Sequence, residues 1–167
     1  MSIQSTTQTF HLFADYHQIY LEDSQAHNLI DDPNAWAAQL LNEDALARHL
    51  GIASGVLCLL TARPMTVPVE VEVLRQAPPG DLAGWDHVAE ASLAVPSGEV
   101  VLHGATDYLP DAPHLAVEPG TYRVRACAGG LDTLSPDQLE GEDHYKLTLW
   151  PAPEREPVLL LARPYPW

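Results

Sequence analysis

The sequence predicts a mainly β protein: an antiparallel β-sandwich of about eight strands, with one or two short helices inserted near residues 34–50. Three observations carry that prediction. Apolar and polar residues alternate with a period of two in several runs, the pattern of a half-buried strand. Turn chemistry separates those runs, drawing on 15 prolines and 10 glycines, because Pro fixes φ and Gly permits positive φ. Finally, 46% of the 167 residues are hydrophobic although the formal net charge is -15, which describes a folded core under an acidic skin rather than charge-driven disorder.

The first run covers residues 9–23. Phe10, Leu12, Ala14, Tyr16 and Tyr20 fall on one side and His11, Asp15, His17 and Asp23 on the other, as in one long strand or two strands broken near Asp15. Residues 34–50 depart from this period. Trp36, Leu40, Ala47 and Leu50 recur at helical spacing, Asn42 before Glu43 and Asp44 has the form of an N-cap with an acidic first turn, and Gly51 is placed to close the helix.

Strand patterns then return. Residues 56–62 form an apolar run, and Val67, Val69, Val71 and Val73 alternate with Pro68, Glu70 and Glu72. Residues 87–95 and 99–103 are further candidates on either side of Pro96-Ser97-Gly98. Tyr122, Val124 and Ala126 stand opposite Arg123 and Arg125, and cross-strand pairing of these arginines with Glu70 and Glu72 is the expected use of that face. Tyr145, Leu147 and Leu149 stand opposite Lys146 and Thr148, and residues 157–162 complete the set. The chain reads as a single domain, 1–167, long enough for one substantial core.

Charge restricts the partners. There are 23 Asp and Glu against 8 Lys and Arg, and residues 1–47 and 76–122 each hold seven acids and no Lys or Arg. Direct nucleic-acid binding needs clustered cations to displace phosphate counterions, and anionic membrane needs the same, so both are excluded as partners. Two uses of such a surface stay open: net charge far from zero keeps proteins apart in solution, and an acidic face attracts a basic protein partner. The start MSIQSTTQTF has no basic and apolar leader pattern, and no stretch has the roughly 18 apolar residues of a membrane span, so the expected location is cytoplasmic. Cys58 and Cys127 sit in apolar segments, as reduced, buried thiols do.

Motifs assign no reaction. His11, Asp15 and His17 share a face of a continuous strand, but the two histidines would then lie about 20 Å apart, too far to share a metal. His27, His49, His103 and His114 have no ligand at close spacing. In Asp86-His87 and Asp143-His144 the members point to opposite faces of a strand, so adjacency alone gives no acid–base pair. GxSxG, CxxC, HExxH, P-loop and GxGxxG patterns are absent, and no catalytic residue, metal ligand or cofactor is assigned. The candidate site is instead the loop AGGLDTLSPDQLEGED. It gathers Asp132, Asp137, Glu140, Glu142 and Asp143 in one connection without the spacing of a calcium loop.

The segments TFHLFADYHQIYLED, PGTYRVRACAGG and EDHYKLTLWP resemble parts of a small bacterial family related to competence protein J, over about a third of the chain. The resemblance implies an all-β sandwich and a role as inhibitor of a partner nuclease. It transfers no functional residue. The function read from these features is a non-enzymatic acidic protein-binding module, of the inhibitor or immunity type, that docks on a basic partner such as a nuclease. A small-ligand or metal-binding sandwich and a hydrolase with a dispersed site are the alternatives.

Overall fold

The computed structural model describes residues 6–26 and 32–167, so that His27 lies outside the described residues. These form eleven strands and two α-helices. In chain order they are β1 (Thr6–Phe13), β2 (Gln18–Asp23), α1 (Pro33–Leu40), α2 (Glu43–Arg48), β3 (Leu50–Ala53), β4 (Val56–Leu60) and β5 (Thr66–Val73). There follow β6 (His87–Val95), β7 (Glu99–Gly104), β8 (His114–Ala116), β9 (Gly120–Gly129), β10 (His144–Pro151) and β11 (Val158–Leu161). Two sheets result, one of six strands in the order β1-β5-β10-β9-β6-β11 and one of five in the order β3-β4-β2-β7-β8. Every pairing is antiparallel except that of β5 with β10, which is parallel. The predicted β-sandwich is thus observed, with three more strands than the pattern had shown.

The break near Asp15 is where the chain changes sheets. β1 lies at the edge of the six-stranded sheet and β2 at the centre of the five-stranded one. A 3-10 turn at Asp15–His17 joins them, with Tyr16 and His17 at φ of 57° and 63°. This left-handed backbone ends the two-residue alternation, so Tyr16 is 69% exposed instead of facing the core.

The helices begin as their sequences dictate. Asp32 caps α1 by accepting from the Asn34 N–H at 3.0 Å, and Asn42 caps α2 by accepting from the Ala45 N–H at 2.8 Å. The end of α2 differs from expectation: the left-handed cap is His49, at φ 56°, and Gly51 already belongs to β3. Gly51 serves close approach instead, since a Cβ there would come within 2.0 Å of the Leu40 carbonyl oxygen at the end of α1.

Ile19, Leu21, Leu57, Leu59 and Leu102 of one sheet and Val69, Ala91, Val124 and Leu147 of the other belong to one buried cluster. β11 contrasts with it: Val158, Leu159, Leu160 and Leu161 are all 37–43% exposed at the sheet edge. Among the described residues no helix is long and apolar enough to cross a membrane. Two substitutions measure this difference in burial. In urea titrations Leu102→Ala is expected to cost about 2–5 kcal/mol, and Leu160→Ala less than about 0.5 kcal/mol.

Candidate functional site

The acidic connection between β9 and β10 is folded by its own side chains. Its two ends meet at Gly130, whose φ is 69° and where a Cβ would stand 2.4 Å from the Glu142 carbonyl oxygen. The Leu131 N–H donates to Asp86 Oδ2 at 2.9 Å, and the Thr133 hydroxyl accepts from the Glu142 N–H at 2.7 Å. At the tip, the Ser135 hydroxyl donates to Asp137 Oδ1 at 2.6 Å and accepts from the Glu140 N–H at 2.9 Å. Asp137 Oδ1 also accepts from the Leu139 N–H at 3.1 Å. These bonds to its charged form, that of Ser135 foremost, hold the Asp137 carboxyl below the usual carboxylate range.

The five carboxylates of this connection separate into three kinds. Asp143 is fully buried and does not face solvent with the rest, which corrects its placement in an outward acidic surface. It accepts from Arg63 Nε at 2.5 Å and from the Tyr145 hydroxyl at 2.6 Å, while that hydroxyl accepts from the Ala62 N–H at 2.9 Å. Its inward direction follows from strand parity: Tyr145 faces the core, and Asp143 is two residues before it. Asp132 is exposed but gripped by the Arg163 guanidinium, which holds its carboxyl below the usual range. Asp137, Glu140 and Glu142 are exposed, and among the described residues no Lys or Arg pairs with them.

Among the described residues, most of the cations are paired within the fold. Besides Arg63 and Arg163, Glu90 binds Arg125 at 2.8 Å and Arg123 at 3.5 Å, with Arg155 at 3.9 Å. Lys146 lies 3.6 Å from both Glu70 and Glu72. The expected pairing of Arg123 and Arg125 with Glu70 and Glu72 is therefore not formed. β10 lies between β5 and β9, so Lys146 meets the two glutamates while the arginines turn to Glu90 on β6. Arg123 is moreover covered, because its guanidinium donates to the Arg155 and Glu156 carbonyl oxygens at 3.1 and 2.9 Å.

The remaining chemical candidates take structural positions. His17 Nδ1–H donates to the Thr61 carbonyl oxygen at 2.9 Å, since that oxygen can only accept. Asp86 turns to Leu131 and Arg163, whereas His87 is buried, and Asp143 is buried whereas His144 is exposed. Cys58 and Cys127 are buried free thiols, pushed by burial to about 12 and about 11, which disfavours thiolate chemistry. Among the described residues no group of three or more His, Cys, Asp or Glu is arranged to hold a metal ion. One feature had no signal in the periodicity: a cavity of about 600 Å³ lined by Leu46, His49, Leu159, Ala162, Tyr165 and Trp167.

The clamp on Asp143 is open to test. Arg63→Met leaves a buried carboxylate without its cation and is expected to cost about 3–5 kcal/mol in urea unfolding. Joining it with Asp143→Leu should recover most of that loss, because no unpaired charge then remains.

No protein-family model matches this sequence, and no curated protein matches it. Two solved structures are similar. ComJ from Bacillus subtilis, an inhibitor of the DNA degrading activity of NucA, matches 91% of this chain and 100% of its own, with a TM-score of 0.63 and 11% sequence identity. The protein described as crocagin biosynthetic gene J matches 92% of this chain and 100% of its own, with a TM-score of 0.54 and 20% identity. The chain therefore has a ComJ-like fold, as the resemblance of its strand segments to that family implied.

Proposed function

We propose that this protein is a non-enzymatic binding module of the inhibitor type, which docks on the basic face of a protein partner, with a nuclease as the partner class. The observation that carries this reading is the ComJ-like fold along nine-tenths of the chain. Charge supports it. Among the described residues, six of the eight cations are bound to carboxylates, so most of the excess acid has no internal counterion there.

Asp137, Glu140 and Glu142 form the leading edge of the docking surface, with Asp132 beside them and Asp143 fixing the loop from within. The mechanism is electrostatic steering followed by occlusion: carboxylates take the positions that nucleic-acid phosphates occupy in a basic groove. A cytoplasmic location belongs to this reading, supported by two unpaired thiols.

The test begins with a partner captured from an extract of the native cell at low salt and purified. Its association rate is expected to fall by about tenfold or more between about 20 and 500 mM NaCl. The double variant Glu140→Gln, Glu142→Gln should slow association at low salt severalfold with its thermal midpoint unchanged. Degradation of DNA by the partner should stop on addition of the unaltered protein. A salt-independent association rate, or undiminished DNA degradation in the complex, would overturn the proposal.

A further inference from the structure

Residues 163–167 bridge the two sheets as a strap. The Arg163 N–H donates to His87 Nδ1 at 2.9 Å, at the start of β6. Across the sandwich the Tyr165 hydroxyl donates to the Leu60 carbonyl oxygen at 2.8 Å, and Trp167 Nε1–H to that of Thr61 at 3.3 Å. The Arg163 guanidinium binds Asp132 and lies 3.7 Å from Asp86. The 600 Å³ cavity opens on one side of the strap, against α2 and β11. A second, of about 320 Å³, opens on the other side against Leu134, Pro136 and Gln138. Arg163, Pro164 and Tyr165 line both, so the strap is the wall between them.

Two buried imidazoles lie under this wall. His87 has both ring nitrogens engaged as a neutral tautomer: Nδ1 accepts from Arg163, and Nε2–H donates to the Arg48 carbonyl oxygen at 2.8 Å. An added proton has only Nδ1 to occupy, where it would face the Arg163 N–H. His49 stacks on His87 with ring centroids 3.8 Å apart and on Tyr165 at 3.5 Å. Among the described residues its buried Nδ1 has no hydrogen-bond partner, so a proton gained at that nitrogen has no acceptor.

We propose that residues 163–167 are an acid-released strap, shut by the neutral His87–His49 pair and freed when that pair gains protons, which joins the two cavities into one cleft. The charged and titratable neighbours do not offset this. α2 brings Arg48, with Asp44 one turn before it, and the strap brings Arg163 and Tyr165, while Trp167 packs against His17. Asp86 and Asp132 are both turned to Arg163.

The sign follows from burial, which pushes His49 down to about 3 and also lowers His87, whose Nδ1 is already occupied as an acceptor. The open form binds more protons than the closed one below the ordinary imidazole value. Closure is therefore fully present above about pH 6.5 and weakens by up to about tenfold per pH unit for each histidine below it. His103 has the opposite sign: burial works against it, but the Glu22 carboxylate raises it, so acid strengthens that site.

Amide hydrogen exchange at pH 7.5 and 5.0, corrected for intrinsic rates, tests the strap. The Arg163 amide is expected to lose about tenfold or more of its protection at pH 5.0, while Leu147 and Leu149 in β10 keep theirs. Tyr165→Phe should lower Arg163 protection at both pH values by about fivefold, the worth of one hydrogen bond. His87→Gln should lower it at pH 7.5 and flatten its dependence on pH. Equal protection of Arg163 at the two pH values overturns the proposal, as does a parallel loss at Leu147 and Leu149, which would mark global unfolding.

Discussion

A carboxylate with no access to water must be given a cation and hydrogen bonds, and Asp143 is such a group. Arg63 supplies the charge from the chain after β4, and Tyr145 and Ala62 complete the network from both sheets. Much else is placed by this cluster. The second nitrogen of Arg63 reaches the Leu139 carbonyl oxygen at 3.1 Å and so pins the acidic connection from beneath. Tyr165 is bound to Leu60, three residues before Arg63, which seats the strap next to the same cluster. The direction in which Asp137, Glu140 and Glu142 point is thus set by a charge that solvent never meets.

The fold also decides what remains of the net charge. Glu90 gathers three arginines on one side of the six-stranded sheet, and Lys146 takes Glu70 and Glu72. These pairs hold neighbouring strands and the segment leading into β11. Their effect on the surface is subtractive, since each cation committed to the fold is unavailable to screen the excess acid.

How much of this was legible depends on the kind of signal. The Val67 to Val73 and Tyr145 to Leu149 alternations each fixed a strand and its buried side, because a period of two survives any tertiary arrangement. β3 and β8 have four and three residues, too few to show a period. Strand order was not legible, and the misassigned partners of Arg123 and Arg125 follow from that alone. The turn at Asp15–His17 and the cap at His49 place non-glycine residues at positive φ, where composition predicts none. Asp143 is a different case: its burial was implied by the parity of Tyr145, but a run of acids suggested a solvated loop. The strap has neither period nor motif, and only the folded chain shows what Tyr165 and Trp167 reach.

The parallel pairing of β5 with β10 has a consequence for how the chain is made. Val69 and Tyr145 are partners across the middle of the six-stranded sheet, yet β6, β7, β8 and β9 are all synthesised between them. Until β10 arrives, β5 and β9 each present an unpaired edge, and the sheet exists as two unconnected halves. Closure of that gap is a non-local event, slow relative to hairpin formation, and a nascent chain halted before residue 144 would expose both edges to neighbouring polypeptides. The insertion of one strand is therefore what joins β1 and β5 to the rest of the six-stranded sheet.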